Sequence, residues 1–577
     1  MVNVKNLFGM AVMATALVGC SSNDNLNPNA NDNAGKAGTA YAKFTIQLPT
    51  VSGTRGDDPD KPGTPKFNGG TADEYAVKDA QLVIFQKQKD GDSEGAYTFV
   101  ETVPIGNLEP WTDNTPNTGV TRYANITAQL KGVSLTGNEY YALVILNNGG
   151  QTKVKLPESG TYSEWNVANK VQGAAAFLDS SNGFYMANAP LYSTGEPTTL
   201  VPIKGVYSTK AEAQTNPATT VYVERGMAKV TVNGSDFTIN DASSTYNTDK
   251  VTINNWTLDV LNKSTFPVHV TTGLKKNFDA IWTTPRFVAT GSTPQRVYWG
   301  VDPNYDKSTL TTVKECQKEF YIVDNDGKTY NGDPKSTFTW SANTTPLYCL
   351  ENTFNLANMK QGQTTRVVFK ATYTPHNLAS AKDKTFFMIG NNTQIWTKDA
   401  LVAQITSKAM EMCKSKAVVV TIKDKAPLLK GGSHLLSSAD VTIMDGKVDK
   451  TAAFDYATLN TKLGLNNTET DVNGNPKVGI KTYKNGECYY IARIKHFNEL
   501  TPWASGQAYG TDNATFLGRY GVLRNNWYEL TVSKVSAPGY PDVPVVNPTD
   551  PDDEDTKFIN VEVKILDWAK RTQQVEL

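Results

Sequence analysis

Ala42-Lys-Phe-Thr-Ile-Gln-Leu48 alternates without a break, with Phe44, Ile46 and Leu48 on one face and Lys43, Thr45 and Gln47 on the other. A two-residue period marks a strand with one buried side. The same signal recurs outward along the chain. Ala80 to Gln86 (AQLVIFQ), Tyr140 to Leu146 (YYALVIL) and Thr220 to Val223 (TVYV) are rich in β-branched and aromatic residues and are bounded by Gly, Asn and Pro. KVTVNG and VTINNWTLDV follow between Lys229 and Val260, then Arg366 to Tyr373, Ala417 to Ile422, Cys488 to Ile494 and Trp527 to Val535. Two helices interrupt them. Leu401, Ile405, Ala409 and Met412 form one stripe over Lys398 to Cys413, and Ala452 to Leu463 is the second. Many short strands with few helices predict a mostly β fold of sandwiches, and two of them fit 577 residues.

The two ends are unusual. The Phe44 strand is followed by Pro49 and then Gly53-Thr-Arg-Gly-Asp-Asp-Pro59, a polar, breaker-rich segment open to proteolysis. At the other end, Ser536 to Thr556 is rich in Pro and Asp and reads as an extended linker, its Asp552 to Asp555 run as solvated charge. Beyond it Ile559, Val561, Val563 and Ile565 alternate with Asn560, Glu562 and Lys564, and Trp568 follows. Such a strand either folds back onto its own domain or is held out for a neighbour. If a cut at Arg55 let the Phe44 strand leave, its groove would expose apolar seats and unpaired ladder groups. The Ile559 to Ile565 strand of a second copy has the alternation to fill them. Four Ile or Val side chains bury roughly 6 to 12 kcal/mol gross, against about 1 to 2 kcal/mol per residue for ordering the arm. A head-to-tail joint of this kind does not close on itself and builds a filament.

The amino terminus is an address. Lys5 precedes an apolar stretch, Leu7 to Val18, of signal-peptide length and too short to span a bilayer. It ends on Leu17-Val-Gly-Cys20, which resembles a bacterial lipobox, so Cys20 is expected to carry the lipid that anchors the exported chain. Ser21 to Thr39 is a polar tether. Cys316, Cys349, Cys413 and Cys488 remain, and their three possible pairings stay open. Widely spaced and without a C-x-x-C, they read as small buried hydrophobes and not as a zinc cage.

Composition excludes further classes. Lys and Arg number 56 against 57 Asp and Glu, which leaves no overall basic excess for nucleic acid. With 10% aromatics the chain can bury a core, so it is not disordered as a whole. None of the common catalytic motifs occurs, His269, His376, His434 and His496 are scattered singly, and no cofactor, metal or catalytic residue is assigned. Arg296 to Tyr305, with Tyr298, Trp299 and Asp302, is read as aromatic packing before an Asp-Pro turn in preference to a sugar platform. Asp324-Asn-Asp-Gly327 is read as a turn and not a calcium loop.

Six segments carry a family resemblance: Gly183 to Asn188 (GFYMAN), Val221 to Val230 (VYVERGMAKV), Arg296 to Tyr305 (RVYWGVDPNY), Tyr348 to Thr353 (YCLENT), Gly486 to Tyr490 (GECYY) and Gly518 to Tyr528 (GRYGVLRNNWY). With the lipobox and the terminal strand, the chain resembles the type V pilins, the fimbrillin family, and most of all its minor-fimbrium (short-fimbria) branch. The resemblance implies two transthyretin-like Greek-key β-sandwich domains with a few short helices and an extended carboxyl-terminal donor-strand arm. The expected divisions are residues 1–19 signal peptide, 20–55 lipidated propeptide with the removable strand, 56–222 and 223–536 the two sandwiches, and 537–577 linker and donor strand. It also implies an outer-membrane lipoprotein precursor, lipidated at Cys20 and cut by an arginine-specific protease between Arg55 and Gly56, although a small residue such as Ala is expected where Gly56 stands. Release of Phe44, Ile46 and Leu48 would then admit the donor strand of Ile559, Val561, Val563, Ile565 and Trp568. The implied partners are further copies of this chain and fimbrial anchor and tip subunits, in an adhesive surface fimbrium linked to virulence. The alternatives are a glycan-binding surface lipoprotein or a tip or anchor adhesin that does not elongate, and, from a different class, a β-sandwich glycosidase.

Overall fold

A computed structural model describes residues 39–49, 70–106, 108, 112–113, 120–179, 183–282, 287–288, 295–471, 474, 476–496, 517–552 and 559–567. Cys20, Arg55, Gly56 and Trp568 lie outside these residues. The chain is mostly β with short helices.

The opening alternation becomes strand β1 (Ala40–Pro49), in which Ala40, Ala42, Phe44, Ile46 and Leu48 are all buried and the intervening side chains are half-buried. It belongs to a nine-stranded sheet. The other strands are β2 (Ala80–Lys87), β3 (Thr98–Gly106), β4 (Thr112–Asp113), β5 (Val120–Leu130), β6 (Glu139–Leu146), β7 (Met186–Asn188), β8 (Val201–Pro202) and β9 (Thr219–Arg225). Their order is β3-β2-β6-β7-β9-β1-β5-β4, with β8 also on β6. The central strands β2 and β6 bury both faces, as their unbroken apolar runs Leu82 to Phe85 and Ala142 to Leu146 require. All these side chains share one core with Phe44, Ile46 and Leu48.

A second core lies between two four-stranded sheets. One consists of β10 (Ala228–Asn233), β13 (Leu347–Cys349), β19 (Asn526–Val535) and β20 (Ile559–Asp567), in the order β13-β10-β19-β20. The other has the order β11-β12-β14-β18, from β11 (Asp236–Thr238), β12 (Lys250–Asp259), β14 (Arg366–Thr374) and β18 (Glu487–Arg493). Val230, Leu530 and Val532 from the first meet Trp256, Phe369 and Tyr490 from the second in one apolar cluster.

Between β14 and β18 the chain builds an α/β unit that the all-β reading did not foresee as a unit. Helix α1 (Lys398–Cys413) has the expected bounds and buries Leu401, Ile405 and Ala409. It packs on a sheet of β15 (Val418–Ile422), β16 (Val441–Asp445) and β17 (Val448–Asp449), in a separate core with α2 (Tyr456–Lys462). The second expected helix is shorter than read: Thr451–Ala453 is a single 3-10 turn, and the α-helix waits for the Asp455 cap, whose side chain accepts from Thr458 N.

Two expected divisions need correcting. The boundary at 222/223 cuts through β9, which runs to Arg225 and stays hydrogen-bonded in the first sheet. The segment taken as a free linker from 537 is fixed as far as Asp552. Val543 and Val546 are buried, Tyr490 Oη donates to Ala537 O at 2.9 Å, Tyr483 Oη donates to Gly539 O at 2.9 Å, and Arg366 Nη2 donates to Pro544 O at 2.5 Å. Asp552 is fully buried, not solvated, and accepts from Thr364 Oγ1 at 2.9 Å. Proline made the segment read as extended, and it is; what composition hid is that an extended strap can lie along a sandwich. The four cysteines among the described residues are free thiols, with Cys316, Cys349 and Cys488 buried.

Candidate assembly site

The seat of β1 is internal to its sheet. On one side it runs parallel to β9, with Phe44 opposite Thr219 and Gln47 opposite Tyr222. On the other it runs antiparallel to β5, from Ala40 opposite Leu130 to Leu48 opposite Arg122. Its removal would leave two strand edges facing across a gap, with the ladder groups of both unpaired. The three large side chains bury roughly 5 to 9 kcal/mol of apolar transfer energy, at about 1.5 to 3 kcal/mol each. The outer face is held lightly: Thr45 Oγ1 donates to Asn125 Oδ1 at 2.7 Å and Lys43 Nζ to Gln214 O at 2.9 Å.

The carboxyl-terminal strand β20 occupies the opposite kind of place. It lies at the edge of its sheet, antiparallel to β19 of the same chain. Ile559, Val561, Val563 and Ile565 stand opposite Val535, Val532, Leu530 and Tyr528, each of which is buried. The four apolar positions are thus in register with core-facing residues, and among the described residues only one side of β20 is laddered. The fold-back arrangement is the one present in the isolated chain.

Four of the six quoted motifs meet in one network of buried charges. Glu224, from VYVERGMAKV, contacts His269 Nδ1 at 2.9 Å and accepts from Arg296 Nη2, from RVYWGVDPNY, at 3.1 Å. Arg524, from GRYGVLRNNWY, donates to Glu351 of YCLENT at 2.6 Å and to Thr265 Oγ1 at 3.1 Å. Glu74 pairs with Lys229 at 2.8 Å and accepts from Tyr348 Oη at 2.5 Å. Burial alone would raise the Glu224 and Glu74 carboxyls, but His269 with Arg296, and Lys229, hold them below the ordinary range. Asp302 accepts from Asn262 Nδ2, Thr353 N and Asn304 N, and burial pushes it up to about 7. Tyr298 and Trp299 are likewise buried, as packing residues and not a platform. Asp324 closes its own turn by accepting from Lys328 N and Thr329 N at 3.1 Å. His269 is therefore part of a buried charge network that a scattered single histidine did not announce; its partner Glu224 lies 45 residues away in sequence.

Residues 481–574 match the family model described as "Major fimbrial subunit protein type IV, Fimbrillin, C-terminal". Over those residues the chain is similar to the carboxyl-terminal region of a fimbrillin. That region takes in β18, β19, the strap and β20, together with the motifs Gly486 to Tyr490 and Gly518 to Tyr528, so the resemblance read from those residues is met there. Among solved structures the chain is similar to a fimbrilin from Porphyromonas gingivalis W83, at 11% identity over 92% of this chain and 99% of that one, with a TM-score of 0.37. It is also similar to the tip fimbrial protein Mfa3 from Porphyromonas gingivalis, at 12% identity over 92% and 100%, TM-score 0.27. A third is a fimbrial assembly protein from Parabacteroides distasonis ATCC 8503, at 11% identity over 57% and 94%, TM-score 0.26. No curated protein matches the chain.

Proposed function

We propose that this chain is a structural subunit of a cell-surface fimbria, joined head to tail by strand exchange. In this reading it is exported as an outer-membrane precursor lipidated on Cys20. An arginine-specific protease cuts between Arg55 and Gly56, and the strand carrying Phe44, Ile46 and Leu48 departs. The arm of another copy, with Ile559, Val561, Val563, Ile565 and Trp568, takes the seat, and anchor and tip subunits complete the fibre. Adhesion is the property of the assembled surface and needs no catalysis.

The observation that carries this reading is the placement of β1. It is an interior strand, yet it precedes the breaker-rich stretch containing Arg55, so a single cut severs it from everything downstream. Supporting it, β20 is an edge strand of matching alternation within the fimbrillin region. The test is Arg55→Ala. The variant should accumulate as an uncut, lipid-bearing, unpolymerised precursor, and electron microscopy should find no fibres. Ordinary fibres from Arg55→Ala would remove strand release as the trigger.

A further inference from the structure

The chain passes from the first sheet to the second through two residues, Gly226 and Met227, because β9 ends at Arg225 and β10 begins at Ala228. β9 is one wall of the β1 seat, and β10 lies parallel to β19, the strand that carries β20. A pull on the seat therefore reaches the carboxyl-terminal part through β9, the link, β10 and β19. Ladder bonds run across the strands, so a pull along the strands loads them together and not one after another.

The link is held on several sides. Asn525, the residue before β19, donates its N–H to Met227 O at 2.8 Å, and its Oδ1 accepts from Arg225 N and Arg225 Nη1, both at 3.2 Å. It is fully buried and left-handed, with φ 58°, a conformation natural to Asn and Gly. Arg225, equally buried, donates from Nε to Glu74 O at 2.7 Å. Gly226 donates to Tyr185 O at 2.9 Å, and a Cβ there would come within 2.7 Å of the Phe177 ring, so the link has no room to swing. Lys229, two residues beyond it, bonds Glu74 and stands 3.8 Å from the Trp527 ring centroid.

We propose that this junction is the tension-bearing joint of the molecule, in which Asn525 clamps the Gly226-Met227 link so that force between the β1 seat and the carboxyl-terminal sheet is carried in shear and not by bending. Its use in a fibre rests on the fimbrial reading, but the joint itself is testable in a single chain. Single-molecule force clamp on the full chain, with handles through Lys43→Cys and Ser536→Cys and with Cys20 and the half-buried Cys413 replaced by Ser, loads the joint. Handles at Lys43→Cys and Asp90→Cys load the first sheet alone. Asn525→Gly keeps the backbone conformation and removes the acceptor from a buried guanidinium, which should shorten the lifetime on the first axis about tenfold and leave the second unchanged. Asn525→Asp keeps both accepting contacts and should restore the wild-type lifetime, since Asn525 Nδ2 has no partner among the described residues. Equal shortening on both axes, no shortening on either, or failure of Asn525→Asp to restore the lifetime would overturn the proposal. Polymerisation, read separately by microscopy, tests the fimbrial reading without touching this one.

Discussion

At the residue scale, the buried and half-buried charges are where the fold departs most from what a pattern of apolar side chains can announce. Glu94, half-buried, is an example. Its Oε1 accepts from Thr199 N at 2.7 Å and from Leu200 N, and burial pushes its carboxyl up to about 7. Between pH 4.5 and 7 the folded chain keeps a proton there that the unfolded chain has released. The unfolded state then binds fewer protons, so stability falls as pH rises through that window and is level on either side of it. Glu94→Gln preserves the acceptor and removes the titration. Urea denaturation across pH 4 to 8 should show the wild type losing on the order of 1 to 3 kcal/mol that Glu94→Gln does not lose. Parallel curves for the two proteins would place the titration elsewhere. None of this was legible in advance. Glu94 lies in a polar stretch, and its partners are more than 100 residues away.

At the element scale, legibility follows periodicity. Helix α1 was readable to its ends because its stripe is regular and Thr397 caps it, the side chain accepting from Ala400 N. β1, β6 and β19 were readable because a single two-residue period or an apolar run survives without competing signals. The strap from Ala537 to Asp552 was not, because Pro and Asp carry the same signature whether they lie in water or along a sheet. Its contacts make a prediction that the linker reading did not. A chain ending at Asp552 keeps Val543, Val546 and the hydrogen bonds to Tyr483, Tyr490, Arg366 and Thr364, and should melt cooperatively near the full-length temperature. A chain ending at Ser536 uncovers the second core and breaks those bonds. At about 1.5 to 3 kcal/mol for each of the two valines and roughly 1 kcal/mol for each bond, it should lose at least about 5 kcal/mol by chemical denaturation. Equal stability of the two truncations would mean that the strap lies on the surface without holding it.

At the scale of the whole molecule, the two ends differ in what their removal leaves behind. Loss of β20 uncovers one edge of a four-stranded sheet, whereas loss of β1 opens the middle of a nine-stranded one and empties the seats of Phe44, Ile46 and Leu48. The second vacancy is the deeper, and the strand that fills it should stabilise the molecule that receives it. The receiver for a test is the chain ending at Asp552, cut at Arg55 and freed of the released segment, so that its own β20 cannot compete. A synthetic peptide spanning residues 559–567 keeps the alternation of Ile559, Val561, Val563 and Ile565. At a hundred times its dissociation constant it would add about 2.7 kcal/mol to the receiver. For domains of this size that is a rise in melting temperature of about 5 to 10 °C. The same peptide with Val561→Asp and Val563→Asp carries two carboxylates that would have to enter seats now filled by fully buried apolar side chains, and should give no rise. Uncut chain should ignore both peptides, because its seat is already taken. A peptide that stabilised cut and uncut chains alike would be binding somewhere other than the β1 seat, and the exchange would then need a different acceptor.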